Sequence, residues 1–318
     1  DDLGRIYIRE YFNERARERM LVLIEDLRAS FRERLEHLDW MQEATRSEAL
    51  AKLDRLEFGV AYPEVWQDYA SLSVKEDQYL QNVIDASRFS FLYGPSGMER
   101  AGKAVDRRIW YMTPQTVNAY YEPSLNEMVF PAAMMRPPFF SADADDAANY
   151  GGIGAVIGHE MTHGFDDEGR HYDRNGNLRD WWTAEDEREF VKRAAALRDQ
   201  YSSYEALPGL HVNGALSLGE NIADLGGLTV AYHAYKRTRE GREDPDGDRR
   251  FFTSYARIWR ENIRKEALRT SILSDPHSPP RYRVNVPLSN LDPFYAAFPE
   301  VKPGDPMYRA PEDRIVIW

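Results

Sequence analysis

The sequence of 318 residues contains no cysteine. Disulfides, thiolate metal sites and cysteine nucleophiles are therefore excluded, and any metal must be bound by histidine, aspartate or glutamate. The lack of cysteine does not identify the compartment, because secreted bacterial proteins often lack it too. The chain begins at Asp1 without a charged and then apolar leader, which suggests a start that is processed, truncated or trimmed.

A long apolar run and an excess of basic residues are also missing. No segment reaches the roughly 18 to 20 apolar residues that a membrane-spanning helix needs, so no span is predicted. The formal net charge is -12, from 41 basic and 53 acidic residues, so no broad basic surface is expected to bind nucleic acid. With 42% hydrophobic residues, the chain is nevertheless expected to fold around one large core or two smaller ones.

The spacing of apolar residues predicts several helices. Between Arg5 and Trp40 apolar residues recur every three or four positions, which is typical of one long amphipathic helix. Thr45 and Glu48 form a capping-box pattern that predicts the start of a second helix, ending near Gly59. Further helices are predicted over 74–92, 150–165, 184–204 with Thr183 as N-cap, and 218–239.

The clearest β signal lies between Thr116 and Pro131. The segments TVNAYY and EMVFP flank a turn-like stretch from Pro123 to Asn126, which predicts a pair of strands. After Pro276 the density of proline and glycine predicts an irregular, packed tail. The pattern therefore indicates a mainly helical protein with one small sheet.

Two motifs imitate ligand sites but lack required residues. In the glycine-rich segment 151–158, a dinucleotide-binding fingerprint would need glycine where Ile157 stands, so tight helix packing is the better interpretation. Asp173, Asn175 and Asn177 imitate a calcium loop, but glycine stands at position 176 instead of 178 and position 184 lacks glutamate. An Asn-Gly turn is predicted there instead.

The segment HEMTH places two histidines four residues apart. His159 and His163 leave the same face of a helix and can share one metal ion, with Glu160 beside them. A catalytic zinc ion usually has three protein ligands and water, so a third ligand must come from elsewhere in the chain. The pattern alone is only moderately specific, and ordinary surface or core histidines are the alternative.

The third ligand can be sought by elimination. A metzincin would need glycine and histidine where Asp166 and Gly169 stand, so that class is excluded. Glu220 and Asp224 lie one turn apart on a predicted helix, so one carboxylate can bind zinc and the other can orient a ligand histidine. Read alone, this pair is also compatible with an ordinary acidic helix face.

Five blocks of sequence occur in a recognisable order: VNAYY (117–121), VFPAAMMRPPFF (129–140), GHEMTHGFDDEGR (158–170), GENIADLGG (219–227) and HSPPRYR (277–283). In order and spacing they resemble the neprilysin family of zinc metalloendopeptidases. Weaker similarity extends over nearly the whole chain, which resembles only the C-terminal part of the longer family members. Ile315 stands where vertebrate members carry a disulfide cysteine, a change that removes a crosslink and no catalytic group.

The resemblance implies a mainly α (α+β) fold, with a thermolysin-like zincin catalytic domain, a small β-sheet and additional helices. Residues 1–75 would be a helical remnant of the cleft-covering or linker region, and residues 76–318 the catalytic domain. It further implies an endopeptidase that cleaves on the amino side of hydrophobic residues. One Zn²⁺ per chain would be bound by His159, His163 and Glu220.

The resemblance also assigns roles to individual side chains. Glu160 would be the general base toward a zinc-activated water and would then protonate the leaving amine. His277 would stabilise the developing oxyanion and Arg283 would bind a substrate carbonyl, although a capping histidine in a proline-rich loop is the alternative for His277. Asp224 is expected to bind the ring of a ligand histidine, with His159 as the expected partner.

The resemblance implies that substrate adds to the chain as an extra strand. Asn118 and the backbone of Ala119 would hold its main chain. A pocket for the residue after the cleaved bond would be lined by Met134, Phe139, Val156, Ile258 and Trp259. Ordinary core packing explains these residues almost as well as substrate binding does.

The expected partners are peptide substrates and a second, largely helical polypeptide that completes the cleft. A second segment is expected because the apolar stripe of the first helix cannot bury itself. That stripe consists of Met20, Ile24, Leu27 and Phe31. A separately encoded partner is favoured over proteolysis or a minimal enzyme, because the start at Asp1 fits a self-contained polypeptide and the catalytic set is complete without the missing part. The alternative function is a catalytically silent zinc-binding subunit of a larger complex. The compartment stays open, although the resemblance favours an extracytoplasmic bacterial protein.

Overall fold

The computed structural model describes residues 1–240 and 242–318. It confirms a mainly α protein with a small sheet. The helices are α1 (Asp2–Tyr11), α2 (Glu14–Glu36), α3 (Glu43–Asp54), α4 (Tyr79–Tyr93), α5 (Asp146–Asn149), α6 (Ala155–His163), α7 (Ala184–Ser202), α8 (Leu218–Thr238), α9 (Pro245–Ile258), α10 (Lys265–Ser274), α11 (Pro280–Ser289) and α12 (Asp292–Ala297). The strands are β1 (Glu57–Ala61), β2 (Tyr120–Glu122), β3 (Glu127–Pro131), β4 (Glu205–Leu207) and β5 (Leu210–His211).

The single helix predicted over 5–40 is divided into α1 and α2. Asn13 lies between them in an extended conformation, and its side-chain oxygen accepts a hydrogen bond from the backbone N–H of Arg15. Asparagine is a favoured N-cap, so it begins a new helix at this point. The apolar spacing alone did not indicate this break.

The long helix α2 buries its apolar face within the chain. Ser30 donates a hydrogen bond to the carbonyl of Val230 on α8, and the ring of Phe31 lies 5.2 Å from that of Phe165. The expectation that this face needs another polypeptide is therefore wrong, since α8 and the segment after α6 cover it. The fully buried members of the stripe are Met20, Ile24, Leu27 and Phe31.

The helix predicted to start at a capping box begins instead at Glu43. Thr45 lies inside α3, where its buried hydroxyl donates a hydrogen bond to Asp186. The helix ends at Asp54, and the residues expected to finish it form β1. A short strand next to a helix carries little period-two signal, which explains why it was missed.

The predicted strand pair is present as part of a three-stranded sheet. β2 and β3 are antiparallel, and β1 pairs in parallel with the other side of β3. The order β1-β3-β2 places β3, which is buried along its whole length, in the centre. One side of β2 therefore lies at the edge of the sheet, next to Asn118 and Ala119.

The helices α6 and α8 cross at two glycines. A Cβ added to Gly158 would lie 2.6 Å from the carbonyl oxygen of Gly227, and one added to Gly227 would lie 2.3 Å from the backbone nitrogen of His159. The tight helix packing predicted for the glycine-rich segment is confirmed. This close approach brings HEMTH directly against the N-terminal half of α8.

Other elements follow the predictions in part. Thr183 caps α7, and the Asn-Gly turn is present with Gly176 at a φ of 77°. The irregular, packed tail expected after Pro276 is present only over 298–318, where Ile317 and Trp318 are buried; before it, α11 and α12 form with proline in the first turn, where its missing N–H costs nothing. Within the described residues, no helix combines the length and apolar character needed to cross a bilayer.

Candidate metal centre and cleft

Three ligand atoms converge where α6 meets α8. The Nε2 atoms of His159 and His163 lie 3.0 Å apart, and Oε2 of Glu220 lies 3.2 Å from the first and 3.7 Å from the second. Ligands about 2.0–2.1 Å from a tetrahedral zinc ion are separated from one another by about 3.3–3.4 Å. The three atoms therefore have the spacing of a zinc ligand set.

The chemistry of Glu220 also fits a cation. Its Oε2 atom is buried, and no donor among the described residues forms a hydrogen bond to it. Burial alone would raise the pKa of this carboxyl, but the close approach of the His159 ring and the charges of His159, His163 and His277 outweigh burial and lower it. An ionised, buried oxygen without a donor is costly unless a positive ion takes the donor's place.

Each candidate ligand histidine turns its other ring nitrogen toward a carboxylate. Nδ1 of His159 lies 2.9 Å from Asp224 Oδ1, and Nδ1 of His163 lies 2.6 Å from Asp166 Oδ2. Such a carboxylate fixes the ring and leaves Nε2 free for a metal. The sequence reasoning missed Asp166, although its position three residues after His163 was a usable signal.

Asp224 also binds Arg283. The guanidinium of Arg283 donates from Nε and a terminal nitrogen to the two carboxylate oxygens, at 2.8 and 2.7 Å. Its Cζ atom lies 3.9 Å from the ring centre of Trp259, and Tyr255 donates a hydrogen bond to the Arg283 carbonyl. The guanidinium is therefore held at the cleft wall by a carboxylate and an aromatic ring.

Glu160 lies in the cleft beside the three ligand atoms and is only 6% exposed. Burial raises the pKa of its carboxyl above the ordinary value, although the neighbouring His159 and His163 act in the opposite direction. A carboxyl in such an environment can accept a proton and hold it.

His277 lies at the rim, with its side chain nearly half exposed. Its Nε2 atom is 3.2 Å from Oε2 of Glu220, and its Nδ1 atom is 2.8 Å from Asp275 Oδ1. Asp275 also accepts a hydrogen bond from the backbone N–H of His277. Asp275 was not predicted, although an acidic residue two positions before the histidine was visible in the sequence.

A buried polar network ties the His277 loop to the start of α8. The hydroxyl of Ser278 donates to Asn221 at 2.8 Å and lies 3.0 Å from the hydroxyl of Ser217. The side chain of Asn221 donates to Ser217 as well. Because Asn221 follows Glu220 directly, this network fixes His277 relative to that carboxylate.

The cleft around these groups has a volume of about 480 Å³. Met134, Phe139, Val156 and Trp259 line it, as do Asn118 and Ala119. The backbone N–H of Ala119 donates to the side-chain oxygen of Asn118 in this structure. The structure does not bring Ile258 into the lining, which Tyr255 completes instead.

Comparison with known proteins identifies relatives of the whole chain. A family model described as peptidase family M13 matches residues 118–315, and a second model with the same description matches residues 1–63. An endothelin-converting enzyme homolog of Locusta migratoria is 39% identical over 93% of this chain and 42% of its own length. Neprilysin-3 of Drosophila melanogaster is 35% identical over 99% of this chain and 41% of its own length.

Solved structures agree with these relatives. The zinc metalloprotease Zmp1 of Mycobacterium tuberculosis, in complex with an inhibitor, superposes with a TM-score of 0.91 and 44% identity, covering 100% of this chain and 49% of that one. PepO of Lactobacillus rhamnosis has a TM-score of 0.90 and 35% identity, covering 100% of this chain and 49% of its own. The chain thus spans about half the length of these structures and about two fifths of the curated relatives.

Proposed function

Since this chain belongs to peptidase family M13, we propose that it is a zinc-dependent endopeptidase that hydrolyses peptides. The observation that carries this proposal is the convergence of three ligand atoms beside a buried glutamate in an open cleft. His159, His163 and Glu220 would hold one zinc ion per chain. When bound there, zinc supplies Lewis-acid chemistry next to a substrate carbonyl.

Glu160 is the proposed general base. It would take a proton from the attacking water and return it to the amine that leaves when the peptide bond breaks. Its buried position and raised pKa support both steps, because a carboxyl that binds its proton more firmly is a better base and can keep the proton until transfer.

His277 and Arg283 are the proposed donors to the substrate. Charge that develops on the carbonyl oxygen in the transition state is stabilised by fixed donors, and His277 lies at the rim where it can supply one. Its orientation is held by Asp275. Arg283 is held by Asp224 and stacked on Trp259, so it would meet a substrate carbonyl without first reorganising.

The substrate main chain is proposed to bind along the free edge of the sheet at β2. An extended peptide can add to such an edge through backbone hydrogen bonds, with Asn118 and Ala119 contributing. The apolar lining supports cleavage on the amino side of a hydrophobic residue. The proposed pocket consists of Met134, Phe139, Val156, Tyr255 and Trp259.

A second, largely helical polypeptide is also part of the proposal. Helix α4 buries only Phe89 and leaves Tyr79 and Leu80 81% and 72% exposed, with Ile84 and Phe91 exposed beside them. Large apolar side chains that are exposed together on one helix are typical of a surface that another polypeptide covers. More than half the length of the curated relatives has no counterpart in this chain, which agrees with a missing cover over α4 and the cleft.

We also propose two regions, 1–75 and 76–318. The separate matches to residues 1–63 and 118–315 support this division. The first region is nevertheless packed into the core of the second, since α2 lies against α8. The two regions therefore differ in the family model that they match, but they share one hydrophobic core.

Hydrolysis of an internally quenched peptide with Phe or Leu after the scissile bond tests the function. We expect cleavage that a chelator abolishes and added zinc restores. Glu160→Gln should keep its zinc and lose cleavage, whereas the exposed Glu312→Gln should behave as the parent. Zinc binding by the parent without cleavage of any peptide in a mixed library would instead favour a catalytically silent zinc-binding subunit.

A further inference from the structure

Lys52 on α3 is a fully buried cation that is not part of the cleft lining. Only 1% of the residue is exposed. Its ammonium group donates three hydrogen bonds to backbone carbonyl oxygens, to Gly164 at 2.6 Å, Gly169 at 2.8 Å and Tyr172 at 2.7 Å. All three acceptors belong to the segment that follows α6, which we call the 164–172 loop.

Burial of an ammonium group costs free energy unless its N–H groups donate hydrogen bonds to nearby acceptors. Burial lowers the pKa of Lys52 to about 7, although the charges of Asp166 and Asp173 act to raise it. The three hydrogen bonds satisfy all three ammonium protons, and their acceptors are three carbonyls outside the α-helices, of which that of Gly169 also accepts from the backbone N–H of Tyr172. An apolar side chain of the same length would fill the space but leave those carbonyls without this donor.

The 164–172 loop carries the carboxylate that orients a candidate zinc ligand. Oδ2 of Asp166 lies 2.6 Å from Nδ1 of His163, and Oδ1 accepts hydrogen bonds from the backbone N–H groups of Glu168 and Gly169. The loop turns tightly, since a Cβ on Gly169 would lie 1.7 Å from the His163 carbonyl oxygen. Along the chain, two of the carbonyls that Lys52 binds, those of Gly164 and Gly169, lie on either side of Asp166.

We propose that Lys52 is a positioning residue for the metal centre, which fixes the 164–172 loop and, through Asp166, the ring of His163. The inference rests on the proposed function and extends it to α3, because a residue of the N-terminal region completes the zinc site. Lys52 does not line the cleft and its ammonium group binds only carbonyls of the loop, so its effect must pass through the loop.

Zinc affinity of the full chain tests this role directly. We expect Lys52→Met to weaken zinc binding by about 10- to 100-fold, the usual effect of losing an outer partner of a ligand. In the same competition assay with a fluorescent chelator, Asp166→Asn should cause a similar loss. Because both act on His163, the double variant should bind zinc about as weakly as the weaker single variant.

Lys192→Met, an exposed lysine on α7, is the matched control and should bind zinc as the parent does. At saturating zinc, Lys52→Met should lower kcat more than it raises KM. A folded Lys52→Met protein with parental zinc affinity, or losses that multiply in the double variant, would overturn the proposal. Zinc binding by the parent without peptide cleavage would sink the proposed function alone, since the affinity comparison still stands.

If Lys52→Met does not fold, the lack of cysteine provides a second test. Lys52→Cys introduces a single thiol, which can be aminoethylated in denaturant to restore an ammonium group on a side chain of lysine length. After refolding, the aminoethylated protein should regain the zinc affinity of the refolded parent, and the carboxamidomethylated protein should not. Equal affinity of the two alkylated proteins would refute the role of the ammonium group.

Discussion

At the scale of single residues, the centre is organised by carboxylates behind the candidate ligands. Asp224 contacts His159 on one side and Arg283 on the other, so one carboxylate links a candidate zinc ligand to a proposed substrate donor. Asp166 and Asp275 each orient one histidine. A change in any of these carboxylates alters the geometry of a reacting group without removing that group.

The pair His277 and Asp275 gives a graded prediction. His277→Ala should lower kcat by about 10²-fold or more, because it removes one oxyanion donor. Asp275→Asn should lower kcat by about tenfold or more, because the ring loses the partner that fixes its orientation. Steady-state kinetics on one peptide measure both, with the exposed Asp313→Asn as control. Effects confined to KM would contradict the assignment.

The sequence was informative about residues with a fixed local spacing. HEMTH and the Glu220–Asp224 pair lie on helices, so their spacing predicts which side chains share a face. Asp166 and Asp275 lie in loops, where spacing does not determine direction. Lys52 is more than a hundred residues from the carbonyls it binds, and only the folded chain brings them together.

At the scale of elements, the contact between α6 and α8 sets the distance between the two histidines and the third ligand. The backbones meet at Gly158 and Gly227, with no side chain between them. The separation of the helices is therefore determined by backbone atoms, which cannot repack as side chains do.

Gly227→Ala should destabilise the protein strongly. Its Cβ would lie 2.3 Å from the His159 nitrogen, so the helices must separate, at a cost of about 3 kcal/mol or more in unfolding free energy. Gly154→Ala is the matched control, because its Cβ meets its nearest neighbour at 3.4 Å in a helical conformation. Denaturant unfolding of the zinc-free proteins compares them. Similar stability of both variants would show that the crossing can relax.

The small sheet contains a row of three carboxyl groups. Glu127 in β3 pairs with Glu57 on one side and Glu122 on the other. The pKa of Glu127 is raised to about 7, chiefly by burial, while the charge of Arg107 acts to lower it and the charges of Glu57 and Glu122 act to raise it. The folded protein therefore binds a proton here that the unfolded chain loses near its ordinary pKa of 4.5.

This row predicts a pH dependence of stability. The contribution of Glu127 is fully present below pH 4.5 and is lost as the pH rises through about 7. Glu127→Gln should consequently be more stable than the parent at pH 8, by about 1–2 kcal/mol, with the difference absent near pH 4. Thermal unfolding of parent, Glu127→Gln and the exposed Glu312→Gln across this range provides the measurement. A constant difference at every pH would exclude titration of Glu127 as its cause.

Secondary structure was predictable where one signal dominated. Thr183 and the period of the following residues fixed the start of α7, whereas the break between α1 and α2 depended on a single asparagine within a continuous apolar pattern. The C-terminal helices were missed because of their prolines: Pro280 and Pro293 stand in first turns, where proline is tolerated, and Pro287 lies inside α11, near its end. β1 is defined by its partner β3, and pairing partners are not visible in local sequence.

At the scale of the whole molecule, the core is complete but one surface is not covered. The apolar face of α2 is buried inside the chain, whereas α4 presents large apolar side chains to solvent. A second polypeptide is therefore expected to cover α4, whereas the apolar face of α2 needs no further cover.

Size-exclusion chromatography with light scattering on native material tests the partner. We expect a complex larger than the 36.9 kDa of this chain, with a helical component that protects α4 from proteolysis. Leu80→Asp on α4 should weaken that complex without changing the fold, since an exposed apolar contact becomes charged. A stable monomer that is fully active on peptides would refute the separate partner.

The packing of α2 against α8 also determines when the protein becomes functional during its synthesis. Ribosomes add about 5–20 residues per second, beginning at the N-terminus. Between His163 and Glu220 the ribosome must produce all of α7, β4 and β5, so the nascent chain carries two candidate ligands before the third exists. Until α8 emerges, the stripe of α2 lacks part of its cover, and exposed apolar surface of this kind is prone to aggregate. The candidate ligand set is consequently complete only late in synthesis, and we expect a chain interrupted before α8 to bind zinc weakly and to aggregate.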